Sequence, residues 1–97
     1  MSNTIKAVYT VRCTKAWDGS NGVEWTCGAA VYKSHNSDTY KVFEDDGEGN
    51  GNKLAEFRLE LLAKRYADLY VRFIESGGYS DSREAEDMAI LVRLHGL

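Results

Sequence analysis

The sequence predicts an α+β protein: a three-stranded antiparallel meander followed by two helices packed on one of its faces, in the order βββαα. Three observations carry this expectation. Apolar and polar residues alternate at period two from Thr4 to Thr14 and again from Val23 to Tyr32. The spacing turns helical from Lys53. A glycine pair, Gly77-Gly78, then divides the helical half in two.

Each element has its own signal. In the first strand Ile5, Ala7, Tyr9, Val11 and Cys13 fall on one side and Lys6, Thr10, Arg12 and Thr14 on the other. Asp18-Gly19-Ser20-Asn21-Gly22 supplies the residues a hairpin turn demands. Val23, Trp25, Cys27, Ala29 and Val31 then oppose Glu24, Thr26, Ala30 and Tyr32 in a second strand. The polar link Lys33–Asp38 leads to a third, shorter strand over Thr39–Glu44. After a loop containing Gly47, Gly49 and Gly51, a helix is expected from Lys53 to about Ser76. It places Leu54, Leu61, Leu62, Tyr66, Leu69 and Phe73 on one arc and Lys53, Glu56, Glu60, Lys64 and Glu75 opposite. Asp81 and Glu84 have the spacing of a capping box, opening a second helix to about Leu94 that buries Ala85, Met88, Leu91 and Val92.

The chain has 97 residues, 43% of them hydrophobic and 11% aromatic. That suits one domain, 1–97, with a single modest core rather than a disordered tail. No apolar run is long enough to span a bilayer. The opening Met1-Ser2-Asn3-Thr4-Ile5-Lys6 lacks the pattern of a secretion signal, so a cytoplasmic location is expected. In that compartment Cys13 and Cys27 are expected as buried thiols, although a hairpin centred near Ser20 would also permit a cross-strand disulfide.

Familiar chemistry is missing. Asp46, Glu48, Asn50 and Gly51 imitate the start of a calcium-binding loop, but the twelfth position is Phe57 and Glu56 falls one place short. His35 and His95 lie in unrelated segments without metal-ligand spacing. There is no phosphate-cradling glycine loop followed by Lys-Ser or Lys-Thr, and no serine in a nucleophile elbow. The chain is therefore not expected to be an enzyme, nor to carry a catalytic residue, metal or cofactor. Tyr9, Trp25, Tyr40 and Tyr79 fit equally as core or as contact residues.

Charge is the informative feature. The net charge is −3, yet residues 44–48 alone carry −4 and residues 81–87 carry −3, on a remainder that is positive. The macrodipole explains acids at the start of the second helix, Asp81 and Glu84. It explains Glu86 and Asp87 less well, and it does not explain Glu44, Asp45, Asp46 and Glu48. Like charges kept together against their repulsion point to a partner with a basic surface. Against this, Arg58, Arg65 and Arg72 recur every seven residues along the first helix, a row that either covers its apolar margin or binds an acidic partner.

The chain length, the opening Ile5-Lys6-Ala7-Val8-Tyr9-Thr10-Val11-Arg12, the run Glu44-Asp45-Asp46-Gly47-Glu48 and the segment Ser82-Arg83-Glu84-Ala85-Glu86-Asp87 resemble the small phage-encoded type I-F anti-CRISPR proteins of the DNA-mimic kind. That resemblance implies an inhibitor that works in the host bacterial cytoplasm. It would dock on the protein subunits lining the target-DNA site of the CRISPR RNA-guided surveillance complex. The partner-binding carboxylates would be Glu44, Asp45, Asp46, Glu48, Asp81, Glu84, Glu86 and Asp87, standing in for backbone phosphates. It implies no direct nucleic-acid contact and no membrane contact. The alternatives are a small nucleic-acid-binding or regulatory module using Arg58, Arg65 and Arg72, or an acidic inhibitor of another basic host enzyme.

Overall fold

The computed structural model describes residues 7–12, 17–18, 24–25, 28–35, 37–45 and 51–97. Six strands and two helices are present: β1 (Tyr9–Arg12), β2 (Trp17–Asp18), β3 (Glu24–Trp25), β4 (Gly28–Lys33), β5 (Tyr40–Glu44), β6 (Lys53–Phe57), α1 (Glu60–Glu75) and α2 (Arg83–His95). Strands β1, β4, β5 and β6 form one antiparallel sheet in that order, while β2 and β3 pair antiparallel as a separate ribbon. Helix α1 packs across all four strands of the sheet, and α2 packs on α1 and on the edge of β6. The α+β class is as the alternation predicts, with one strand more than expected in the main sheet, and the strand expected over Val23–Tyr32 is divided between β3 in the ribbon and β4 in the sheet.

The extra strand is Lys53–Phe57, which the sequence assigns to the first helix. Its five residues sit two places beyond Gly51, where the chain has just turned back on β5. The Glu44 amide donates to the Asn52 carbonyl at 3.0 Å, and pairing continues from Phe43–Lys53 to Tyr40–Phe57. A Cβ at Gly51 would collide with the Glu44 carbonyl, so the return needs glycine there. Between the Val42–Ala55 and Phe43–Lys53 pairs the register shifts, leaving Leu54 as an added residue. Such a bulge re-aims a side chain; Leu54 and its neighbour Ala55 both pack against the core. Leucine spacing that suits a helix is satisfied here by a bulged edge strand.

The core lies between the sheet and α1. Ala29, Val31, Val42 and Phe57 from the sheet meet Ala63, Tyr66, Ala67 and Val71 from α1, and Phe57 is completely buried. Tyr9 and Val11 line the same face, as their alternation predicts, and Thr10 and Arg12 point away. Ala30 was expected on the outward side of its strand and is nonetheless buried. Small residues at Ala63 and Ala67 let α1 lie close against the strands. Ala63, Tyr66, Ala67 and Val71 meet the sheet with Leu62 and Tyr70 packed against them, and Tyr66 and Phe73 also line the groove under α2. Leu61, expected inside, is 76% exposed.

Helix α2 is more superficial than predicted. None of its residues is buried; Ala85, Met88 and Leu91 are half-buried, and Val92 is exposed. Beneath it a groove of about 470 Å³ is lined by Leu54, Tyr66, Phe73, Met88 and Val92 among others. Of the expected Asp18–Gly22 turn, residues 19–22 lie outside the described residues, as do Val23, Cys13, Cys27, Asp46 and Glu48.

Candidate protein-docking site

The path of the chain decides which charges meet. β5 runs from Tyr40, paired with Phe57, to Glu44 at the far end of the sheet. Helix α1 begins just after Phe57 and runs toward that far end, where the Tyr70 hydroxyl donates to Glu44 Oε2 at 3.0 Å. Glycines then reverse the chain. Gly77 and Gly78 have φ of +117° and +72°, and their amides donate to Ile74 and Phe73 carbonyls left open at the helix end. A side chain at Gly77 would collide with the Tyr79 ring. Helix α2 then returns until Gly96 pairs with Phe57 and the Leu97 amide donates to the Glu56 carbonyl. The start of α2 therefore lies at the Glu44 end of the molecule. Glu44 and Asp45 are thus brought to the same end as the acidic start of α2.

Their side chains are differently placed. Glu44 sits opposite Ala29, on the sheet face that α1 covers. Its carboxylate accepts from Tyr70 and, at 3.3 Å, from the Asn52 amide. Glu44 is therefore not a free surface carboxylate: half-buried, it fastens Asn52 and α1 to the sheet. The Asp45 amide donates to the Gly28 carbonyl at 2.9 Å, fixing where the loop departs.

At α2 the sequence misplaces the cap by one residue. The N-cap is Ser82, whose Oγ accepts from the Ala85 amide at 3.2 Å, so Asp81 lies just outside the helix and no capping box forms with Glu84. Asp81 and Glu86 are exposed, and Glu84 and Asp87 half-exposed. None of these four carboxylates makes an ion pair or side-chain hydrogen bond with a described residue. They form an acidic surface on a fixed helical frame.

The basic row does not survive intact. Arg58 precedes α1 in an irregular link, which leaves Arg65 and Arg72 on the outer stripe of the helix, both exposed. The aromatic residues sort as well. Tyr9 and Tyr40 pack against the core, and the Tyr9 hydroxyl donates to Asp68 at 2.6 Å. Tyr79 is 65% exposed in the turn beside the acidic start of α2. Among the described residues no three metal-ligating side chains converge. Of the calcium-like loop, Glu56 and Phe57 belong to β6, and Glu56 is held below the usual carboxylate range chiefly by the Lys53 ammonium 2.6 Å away.

No family model, curated protein or solved structure matches this chain.

Proposed function

We propose that the protein binds through its acidic end to a cationic, nucleic-acid-binding surface of another protein. The type I-F CRISPR surveillance complex is the partner that the resemblance in sequence favours. The carboxylates occupy lysine and arginine side chains that otherwise grip target DNA, and inhibition requires no chemistry. The observation that supports this reading is the surface formed by Asp81, Glu84, Glu86 and Asp87 at the start of α2, unpaired by any described residue, at the end of the sheet where Glu44 and Asp45 lie. Glu44 stands at the same end as an anchor, bonded to Tyr70 and to the Asn52 amide. Tyr79 adds an exposed aromatic of the kind that anchors protein interfaces.

The test is competition. The crRNA-loaded surveillance complex is incubated with labelled target duplex and increasing amounts of the protein. Displacement is expected at low salt, weakening steeply as salt rises. The quadruple variant Asp81→Asn, Glu84→Gln, Glu86→Gln, Asp87→Asn should lose it. Equal displacement by that variant would overturn the proposal. Retention of the duplex by the protein alone, lost on Arg65→Glu and Arg72→Glu, would instead favour a nucleic-acid-binding module.

A further inference from the structure

The opposite end of the molecule has a different chemistry, and α1 and α2 bring it together. Leu59 is the N-cap of α1, Leu61 lies in its first turn, and Leu94 lies in the last turn of α2. Leu97 is drawn to the edge of β6 by its amide bond to Glu56. These leucines are 60%, 76%, 66% and 60% exposed, respectively. The same segments carry Arg58, Arg65, Arg93 and His95, all exposed and none paired with a carboxylate among the described residues. The nearby acids are neutralised: Glu60 by Lys64 at 2.8 Å and Glu56 by Lys53. At the β4–β5 turn Lys33 and Asp38, both exposed, offset one another. Four exposed leucines at one end, on segments that also carry unpaired cations, are more than the scattered apolar exposure of an ordinary surface.

The side-chain types select the occupant. The cations call for an anionic partner. The apolar groups are aliphatic, so they offer no ring on which a nucleobase stacks. Leucine is under-represented among the anchors of protein–protein interfaces. A symmetric pairing of two copies through this end would set arginine against arginine. Leucines that insert at the boundary of headgroups and acyl chains, with arginines at the level of the lipid phosphates, satisfy every group present. We propose that this end docks on an anionic lipid surface, Leu59, Leu61, Leu94 and Leu97 inserting and Arg58, Arg65 and Arg93 meeting phosphate. The resemblance implies no membrane contact; three of these leucines fall within the helices expected from the sequence, and their convergence depends on the return of α2. No helix among the described residues is long and apolar enough to cross a bilayer, so the contact is peripheral. The acidic end then points away from the surface.

Vesicle sedimentation tests it on the full chain. The protein should sediment with phosphatidylglycerol–phosphatidylcholine vesicles at low salt and not with phosphatidylcholine alone. Leu94→Asp or Leu59→Asp should weaken binding about tenfold or more, and Arg93→Gln about fivefold. Because these side chains are exposed, the far-ultraviolet circular dichroism should stay that of the parent. No association with anionic vesicles, or association that the leucine and arginine variants leave unchanged, would overturn the proposal. The quadruple carboxylate variant should bind vesicles at least as tightly as the parent, so the outcome is independent of the acidic end's partner.

Discussion

Tyr70 and Glu44 show how much a single pair does in this chain. Burial, with the Glu44 carboxylate beside it, pushes the Tyr70 hydroxyl up to about 12. Tyr9, bonded to Asp68, and Tyr66, through burial, are raised as well. In the unfolded chain these hydroxyls ionise near 10. Their contribution to stability is complete below that pH and is lost as pH rises through the folded-state value, because the unfolded chain then releases protons that the folded chain retains. Thermal melts followed by circular dichroism should therefore fall steadily above pH 10. Tyr70→Phe should flatten that fall while lowering stability at neutral pH by about 1 kcal/mol, the usual net worth of such a hydrogen bond. A variant with the parent's alkaline profile would show that the Tyr70 hydroxyl is not what couples stability to pH. None of this is legible in the sequence. Glu44 looks there like one more member of an acidic run, and only its pairing opposite Ala29 reveals that it faces the helix.

Among the elements, β6 and the start of α2 show where pattern suffices and where it does not. The alternation around Tyr9 and Val11 locates a strand and its inner face because period two leaves one way to hide the apolar side, and that around Ala29 and Val31 locates a second strand, although Ala30 on its other side is buried too. Lys53–Phe57 defeats the same logic. Five residues with a bulge do not alternate cleanly, and Leu54 continues a helical spacing by coincidence; what decides the matter is backbone pairing with β5, which is non-local. The glycine pair is legible because positive φ demands it. The cap beside it is less so, since Ser80, Asp81 and Ser82 are all competent caps. The structure selects Ser82, which makes a contrast testable by chemical denaturation. Ser82→Ala should cost about 1 kcal/mol, and Asp81→Ala much less, since no helical amide depends on its side chain. Equal losses would move the cap to Asp81.

At the scale of the whole molecule the two helices act as a device for sorting charge. They run in opposite senses, so α1 carries the chain to the Glu44 end and α2 brings it back to Phe57. One end then collects the carboxylates of α2, alongside Arg72 and Arg83, and the other collects exposed leucines with Arg58, Arg65 and Arg93, although the net charge is only −3. This polarity separates the site from the framework, because the carboxylates of α2 support little else. Those near the helix start gain from the macrodipole, while Glu84 and Asp87, three residues apart, repel one another. The two effects oppose, so replacing Asp81, Glu84, Glu86 and Asp87 by their amides should shift the free energy of unfolding by no more than about 0.5 kcal/mol, as for ordinary surface positions. The same replacement should abolish binding to the basic partner and remove most of its dependence on salt. Denaturant titration and the competition assay, run side by side on one variant, measure the two effects separately. A stability loss beyond about 2 kcal/mol would assign these carboxylates to the fold. Unchanged stability with binding lost is the outcome expected of charges that serve a partner.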